Sequence, residues 1–506
     1  MVTTAMGADV IPERAAGLPV DNEPRSARER LGEWFAAISI LLAVVGMAIS
    51  SPPLVGPDEG AHQATASYLT VNVWPPESET REYVSGMLVY GDCALGFNPT
   101  QDASCVPGRD SVVPVKERIL NYPPPYYWVV GLGQKFAPGA DSWMDVGGRL
   151  ASLLLNLAGL SLLAVLLRRH VRSWGTYLLA ISTPMAAFLW AVVNPNGWEI
   201  TAGLIFAYVF AQAWWRDSRD DSGSRVWVWS ALVALAAVAF ALSRHDALVW
   251  LSLLVVAIIA MGRGAASRVR RLALLVAAGV GVIAGLLWQI THAAQHTDNN
   301  PDRVAEPQWI DYLHWLGQID EVLPDRLRQM VGVLGWLDTP APQWLVLLLL
   351  LSWGAVLGFL FARTRIPVAA LGVGFFGIVL VPGLLEVLRW NDWPYWYQGR
   401  ITLSFAIPFL FLLLLRFGDR GRRAVIALSS VNALALAAML WLNLSRYSFG
   451  IADYLPERWS DPAVGGVAFW SGVLCIVLIL GLNAMRVIWL ADERRMWLRQ
   501  QRELEA

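Results

Sequence analysis

Twelve apolar runs, each close to the roughly 20 residues that a helix needs to cross the hydrocarbon of a bilayer, constrain this chain more than any motif in it. They lie near 34–50, 148–167, 175–194, 197–215, 226–243, 246–262, 272–291, 344–362, 367–386, 400–415, 424–443 and 465–486. Because 56% of the 506 residues are apolar and only 16% are charged, the chain has more apolar surface than one soluble core could bury. The bilayer is therefore its solvent, and the fold class is all-α integral membrane with about 12 transmembrane helices.

Charge placement orients these runs. Net charge is -1, so nucleic acid is not an implied partner, and the only lysines are Lys116 and Lys135. Arginines collect in alternate short loops: Arg168, Arg169 and Arg172; Arg216, Arg219 and Arg225; Arg263, Arg268, Arg270 and Arg271; Arg363 and Arg365; Arg416, Arg420, Arg422 and Arg423. Arg494, Arg495 and Arg499 follow the last run. By the positive-inside rule these loops and both termini are cytoplasmic. The expected organisation is a disordered cytoplasmic tail over 1–33, a polytopic domain over 34–486 and a cytoplasmic tail over 487–506, with large external loops at 51–147 and 292–343. Polar residues before Trp34, including Glu13, Arg25, Arg28 and Arg30, make the first run an anchor rather than a cleaved signal. The segment from Tyr122 to Phe136 is too short and proline-rich to span comfortably, so it is placed along the outer surface as a juxtamembrane helix. Cys93 and Cys105 share the first external loop and can form a disulfide in an oxidising compartment, or remain two surface thiols; Cys475 stands alone in an apolar run.

Ionisable residues are costly inside a bilayer, so their depth is informative. Arg149, Glu199, Arg244, His245, Asp246, Glu386 and Arg400 all fall at the outer ends of runs, while the middles carry almost no charge. A transporter or flippase for lipid-linked saccharides is the competing function, and it predicts polar groups across the membrane depth. Convergence at the outer surface instead suits chemistry between a lipid headgroup and a water-soluble acceptor.

Four stretches carry candidate chemistry. In Pro57-Asp58-Glu59-Gly60-Ala61-His62, Pro57 reads as a helix start, which puts Asp58 and His62 on one face. That face can hold a general base and its partner, or a divalent cation such as Mg or Mn on Asp58, Glu59 and His62; the plain alternative is a solvated, capped helix start. Asn194-Pro195-Asn196-Gly197 is a turn whose amides can meet a sugar, or only a tight Asn/Gly turn. Ser243-Arg244-His245-Asp246 lies at another external turn, as an anion site or an interfacial ion pair. Gln398-Gly399-Arg400 follows an aromatic belt, and an outer arginine asks for an anionic partner such as phosphate. In the second large loop, Trp309, Tyr312, His314, Trp315, Trp336 and Asp338 suit either a sugar groove or a surface-lying helix.

Taken in order, six blocks resemble the bacterial membrane-protein family of domain of unknown function 2142, itself similar to glycosyltransferases of the GT-C fold: Pro57 to His62, Asn121 to Tyr127, Asn194 to Gly197, Ser243-Arg244, Leu334 to Thr339, and Gln398 to Arg400. The chain departs from the family pattern at Gly60 and His245, where proline is frequent. The resemblance implies a GT-C-like enzyme of the bacterial cytoplasmic membrane, transferring sugar from a polyprenyl-phosphate donor to an envelope glycan, lipid or protein acceptor on the extracytoplasmic side. It implies Asp58 as the acidic residue of the first external loop, with Glu59 and His62 beside it. Arg400, then Arg244, are the implied donor-phosphate ligands. Tyr122, Asn194, Asn196, Trp336, Asp338 and Gln398 become substrate-binding candidates.

Overall fold

A computed structural model describes residues 26–51, 55–71, 122–136, 144–215, 223–262, 267–292, 313, 316–335, 337, 339–364, 366–389, 398–449 and 467–505. All twelve apolar runs carry helix there, and eight helices are long and apolar enough to cross a membrane by length and composition. These eight are α1 (Ala27–Ser50), α4 (Met144–Leu167), α10 (Arg268–His292), α12 (Gln343–Thr364), the rod of α13 (Val368–Phe375) and α14 (Val381–Arg389), α15 (Gly399–Phe417), α16 (Arg422–Phe449) and α17 (Val467–Glu505). A π-helical turn at Phe376–Leu380 joins α13 to α14. The apolar helices α8 (Gly223–Ala241) and α9 (Ala247–Ala260) are shorter. Two non-spanning helices, α2 (Glu59–Val71) and α3 (Pro124–Phe136), pack on one another and on α4.

Helix α1 begins before the apolar run and takes in residues assigned from sequence to the tail. Ser26 caps it, its hydroxyl accepting the Glu29 N–H at 3.0 Å. The added turns carry Glu29 and Glu33, and other helices meet both. Arg172 and Arg422 donate to Glu29 at 2.7 and 3.1 Å, and the Thr176 N–H and hydroxyl donate to Glu33 at 2.8 Å.

The run at 175–194, read from sequence as one span, is broken into α5 (Trp174–Ile181) and α6 (Pro184–Ala191). Pro184 has no N–H to give the Ala180 carbonyl four residues back, and it forces Thr183 into an extended backbone. Two side chains repair the break. The Thr183 hydroxyl accepts the Ala186 N–H at 3.2 Å, and the Asn432 amide donates to the Ala180 carbonyl at 2.8 Å in place of the missing N–H. Every residue of α5 and α6 is buried, which is where irregular backbone can exist at membrane depth.

At the centre, α7 (Pro195–Trp215) is almost wholly buried and packs on α15. The periphery is different: α10, α12 and α17 turn Val276, Leu351 and Val477 outward, as lipid-facing helices must. A short helix, α11 (Ile319–Gly332), and a two-residue antiparallel pairing of β1 (Val333–Leu334) with β2 (Thr339–Pro340) cover the end of the bundle near the start of α15.

Candidate active site

Five connections meet at one end of the bundle: the start of α2, the segment entering α3, the turn before α7, the turn between α8 and α9, and the start of α15. Helix α2 begins at Glu59 rather than at Pro57, because Asp58 takes a left-handed backbone, φ 55°. Such a conformation is strained for a residue with a Cβ, and short polar side chains tolerate it best. The turn is held from several sides. Gly56 N–H donates to the Glu59 carboxylate at 2.9 Å, the Asn194 amide donates to the Pro57 carbonyl at 2.8 Å, and a Cβ on Gly56 would meet the Val192 side chain at 2.9 Å.

The two adjacent carboxylates have opposite fates. Glu59 is fully buried, and the Arg149 guanidinium forks onto both its oxygens at 2.6 Å while Val193 N–H adds a third partner at 3.1 Å. Arg149 also donates to the Ser51 carbonyl at 2.5 Å. Glu59 therefore anchors α2 to α4 and to the turn before α7, and it does not fit the base or metal role considered for it. Asp58 keeps a side chain that is 47% exposed, with Arg400 as its ion-pair partner at 3.3 Å. Arg400 itself is buried, so the pair sets a buried positive charge against a half-exposed carboxylate.

Of the other predicted residues, His62, Tyr122, Asn194, Asn196 and Arg244 cluster beside this pair. His62 is buried, with Nδ1 2.9 Å from the Tyr127 hydroxyl and its ring stacked on Tyr122 at 5.9 Å. Burial, reinforced by the positive Arg244 and Arg400, pushes its imidazole well below the usual range, so the ring is neutral. Arg244 is held by three protein partners: it donates to the Asn196 side-chain carbonyl and to the Tyr122 hydroxyl, the latter at 3.2 Å, and its Nε lies 3.2 Å from the Asp246 carboxylate. Asn194 in turn accepts the Asn196 N–H at 2.9 Å. These ties make Arg244, Asn194 and Asn196 the frame of the site, and leave Arg400 as the guanidinium whose described hydrogen bond goes only to Asp58.

Buried acceptors without a hydrogen-bond partner among the described residues include Oε1 of Gln398, two residues before Arg400, and Oε1 of Glu199, whose Oε2 accepts the Ser404 hydroxyl at 2.6 Å. Glu199 and Asp246 were legible as outer-end charges but not as neighbours of Arg244. Tyr127 was missed in favour of Tyr122; its place in the same helical turn as Tyr126 was the available signal. Trp336, Asp338, Cys93 and Cys105 lie outside the described residues. As for a divalent cation, no three His, Cys, Asp or Glu side chains among the described residues are grouped to hold one, and the Arg149 fork occupies Glu59. The Asp58, Glu59 and His62 set does not fit a metal.

No curated protein matches the chain. Among solved structures, it is similar to ArnT from Cupriavidus metallidurans in the apo state, with 16% identity, TM-score 0.42, and coverage of 90% of this chain and 76% of that one. It is similar also to ArnT from the same organism bound to undecaprenyl phosphate, with 17% identity, TM-score 0.43, and coverage of 90% and 77%. The family model described as predicted membrane protein (DUF2142) matches residues 41–400, which takes in five connections of the site from Asp58 to Arg400, and the chain belongs to that family.

Proposed function

We propose that this protein is an inverting, membrane-embedded glycosyltransferase of GT-C type, moving a sugar from a polyprenyl-phosphate donor to an envelope acceptor on the extracytoplasmic side. The observation that carries the reading is the Asp58 and Arg400 pair: an exposed carboxylate against a buried guanidinium, at the bundle end that the arginine alternation assigns to the outside. A lipid phosphate reaches that level with its chain still in the bilayer. The phosphodiester competes with Asp58 for the guanidinium, and a planar guanidinium matches two phosphate oxygens at once.

The chemistry then balances without a metal step. Asp58, released from Arg400, takes the proton of an acceptor hydroxyl as that oxygen attacks the anomeric carbon. The bond between that carbon and the phosphate oxygen breaks on the opposite face, and its electron pair leaves with polyprenyl phosphate. Arg400 stabilises the charge that grows on the phosphate. Neutral His62, held by Tyr127, lines the site without adding a third positive charge. Gln398, two residues before Arg400, is a substrate-binding candidate whose buried Oε1 would have to be uncovered by donor binding to accept a sugar hydroxyl.

The test is turnover by purified protein in nanodiscs with a panel of radiolabelled polyprenyl-phosphate sugars, including undecaprenyl phosphate-linked ones, with and without glycan acceptors. Acceptor-dependent release of polyprenyl phosphate that vanishes in Asp58→Asn is the expected result. Full activity in Asp58→Asn would remove Asp58 from the role of base.

A further inference from the structure

We infer that α11, through Gln329 and Arg326, is the positioning element that fixes the Arg400 guanidinium, and with it the phosphate of the donor. The inference rests on the proposed role of Arg400 and assigns a function to a helix from the second large external loop.

Among the described residues, the start of α15 has no side-chain cap from its own N-cap position. Gln398 stands at the N-cap position in an extended backbone, φ -102° and ψ 144°, and makes no side-chain cap. The first N–H groups of a helix need acceptors, above all where water is scarce. Gly399 N–H finds its acceptor across a helix boundary, donating to the Gln329 side-chain carbonyl at 2.7 Å. Gln329 is buried, and its NH2 donates to the Asp325 carboxylate at 2.6 Å, so the amide is held with its oxygen toward Gly399. The backbones also touch: a Cβ on Gly399 would lie 2.1 Å from the Arg326 carbonyl oxygen, so only glycine permits this approach. Arg326 is tied in turn to α14, its guanidinium donating to both Glu386 oxygens at 3.0 and 3.2 Å.

Arg400 follows Gly399 directly, so the position of α11 sets where its guanidinium stands against Asp58. Loss of the Gln329 bond leaves an unsatisfied N–H at the root of that side chain, and the end of α15 must shift to find another acceptor. Misplacement of a binding group by an ångström is enough to weaken its interaction many-fold.

The experiment measures binding of radiolabelled polyprenyl phosphate to the full-length protein in nanodiscs, for wild type, Arg400→Ala, Gln329→Met and the double variant Gln329→Glu with Asp325→Asn. The double variant reverses the hydrogen bond between positions 325 and 329 and restores an acceptor for Gly399. Gln329→Met should bind roughly 10-fold more weakly and show a raised donor KM with an unchanged acceptor KM, and the double variant should recover. Glu386→Gln, a milder loosening of the same clamp, should shift donor KM in the same direction. If Arg400→Ala loses binding while Gln329→Met and Glu386→Gln bind as wild type does, the clamp is overturned and the role of Arg400 stands. If Arg400→Ala binds as wild type does, the proposed phosphate site itself falls, and the clamp with it.

Discussion

Removing Arg149 should cost more than removing any catalytic group, because the structure gives its partner no escape. Glu59 is 0% exposed and takes four donors: the Nε and Nη2 of Arg149 and the N–H groups of Gly56 and Val193. Arg149→Ala leaves a buried carboxylate with two neutral N–H partners and no counter-charge, for which about 3–5 kcal/mol of destabilisation is expected. In equilibrium terms that is roughly two to three and a half decades in the folded to unfolded ratio, at about 1.4 kcal/mol per decade. Replacing both partners with apolar side chains of similar size, Glu59→Leu with Arg149→Met, removes the uncompensated charge and should recover much of the loss. Equilibrium unfolding in mixed detergent micelles measures wild type, Glu59→Leu, Arg149→Met and the double variant as the four members of a cycle, with Arg149→Ala beside them. Additive single-variant costs, or an Arg149→Ala protein as stable as wild type, would mean that Glu59 is not an anchor.

Other perturbations read the site and the fold separately. Arg400→Ala should lower kcat/KM for the donor by about 10²–10³-fold with unchanged unfolding behaviour, as expected for loss of a preorganised donor to developing phosphate charge, and steady-state kinetics checks it. Asp58→Asn should abolish turnover yet fold normally, since asparagine tolerates the left-handed backbone at φ 55°; a thermal melt beside the activity assay separates the two effects. Because the folded His62 resists protonation, the unfolded chain binds the proton first as pH falls below its ordinary value of 6.5. Stability should therefore be flat in this term above that pH and decline below it by up to about 1.4 kcal/mol per pH unit, and His62→Gln should remove the slope in pH-dependent unfolding. Asn432→Leu strips the Ala180 carbonyl of its donor inside the bundle and should cost about 1–3 kcal/mol in the same unfolding assay.

Much of the architecture was legible because bilayer crossing imposes a length and a polarity that composition cannot hide. The twelve runs all carry helix, and Arg149, Arg244 and Arg400, each read from sequence at the end of a run, come together at one end of the bundle. The break between α5 and α6 was masked by its surroundings: apolar residues on both sides of Pro184 read as one span, and the repair comes from Asn432, 252 residues from Ala180. The start of α1 was hidden for the opposite reason. Glu29 and Glu33 look like tail residues until Arg172, Arg422 and Thr176 are brought to them. In the candidate site, two adjacent carboxylates could not be told apart from sequence, since what separates Asp58 from Glu59 is Arg149, 90 residues further on. Asp58 and Arg400 were each singled out alone, but their meeting across 342 residues is a property of packing.

Whether this site breaks the bond between sugar and phosphate is read from the chemical fate of the donor. With purified protein in proteoliposomes, a polyprenyl-phosphate sugar labelled in both sugar and lipid reports cleavage and leaflet position together. Label transfer is expected only when an acceptor is present, with one polyprenyl phosphate released per glycoside formed and a product of inverted anomeric configuration. Intact donor carried from one leaflet to the other, with no bond broken in the presence of any acceptor, would contradict it and identify a lipid-linked saccharide transporter instead.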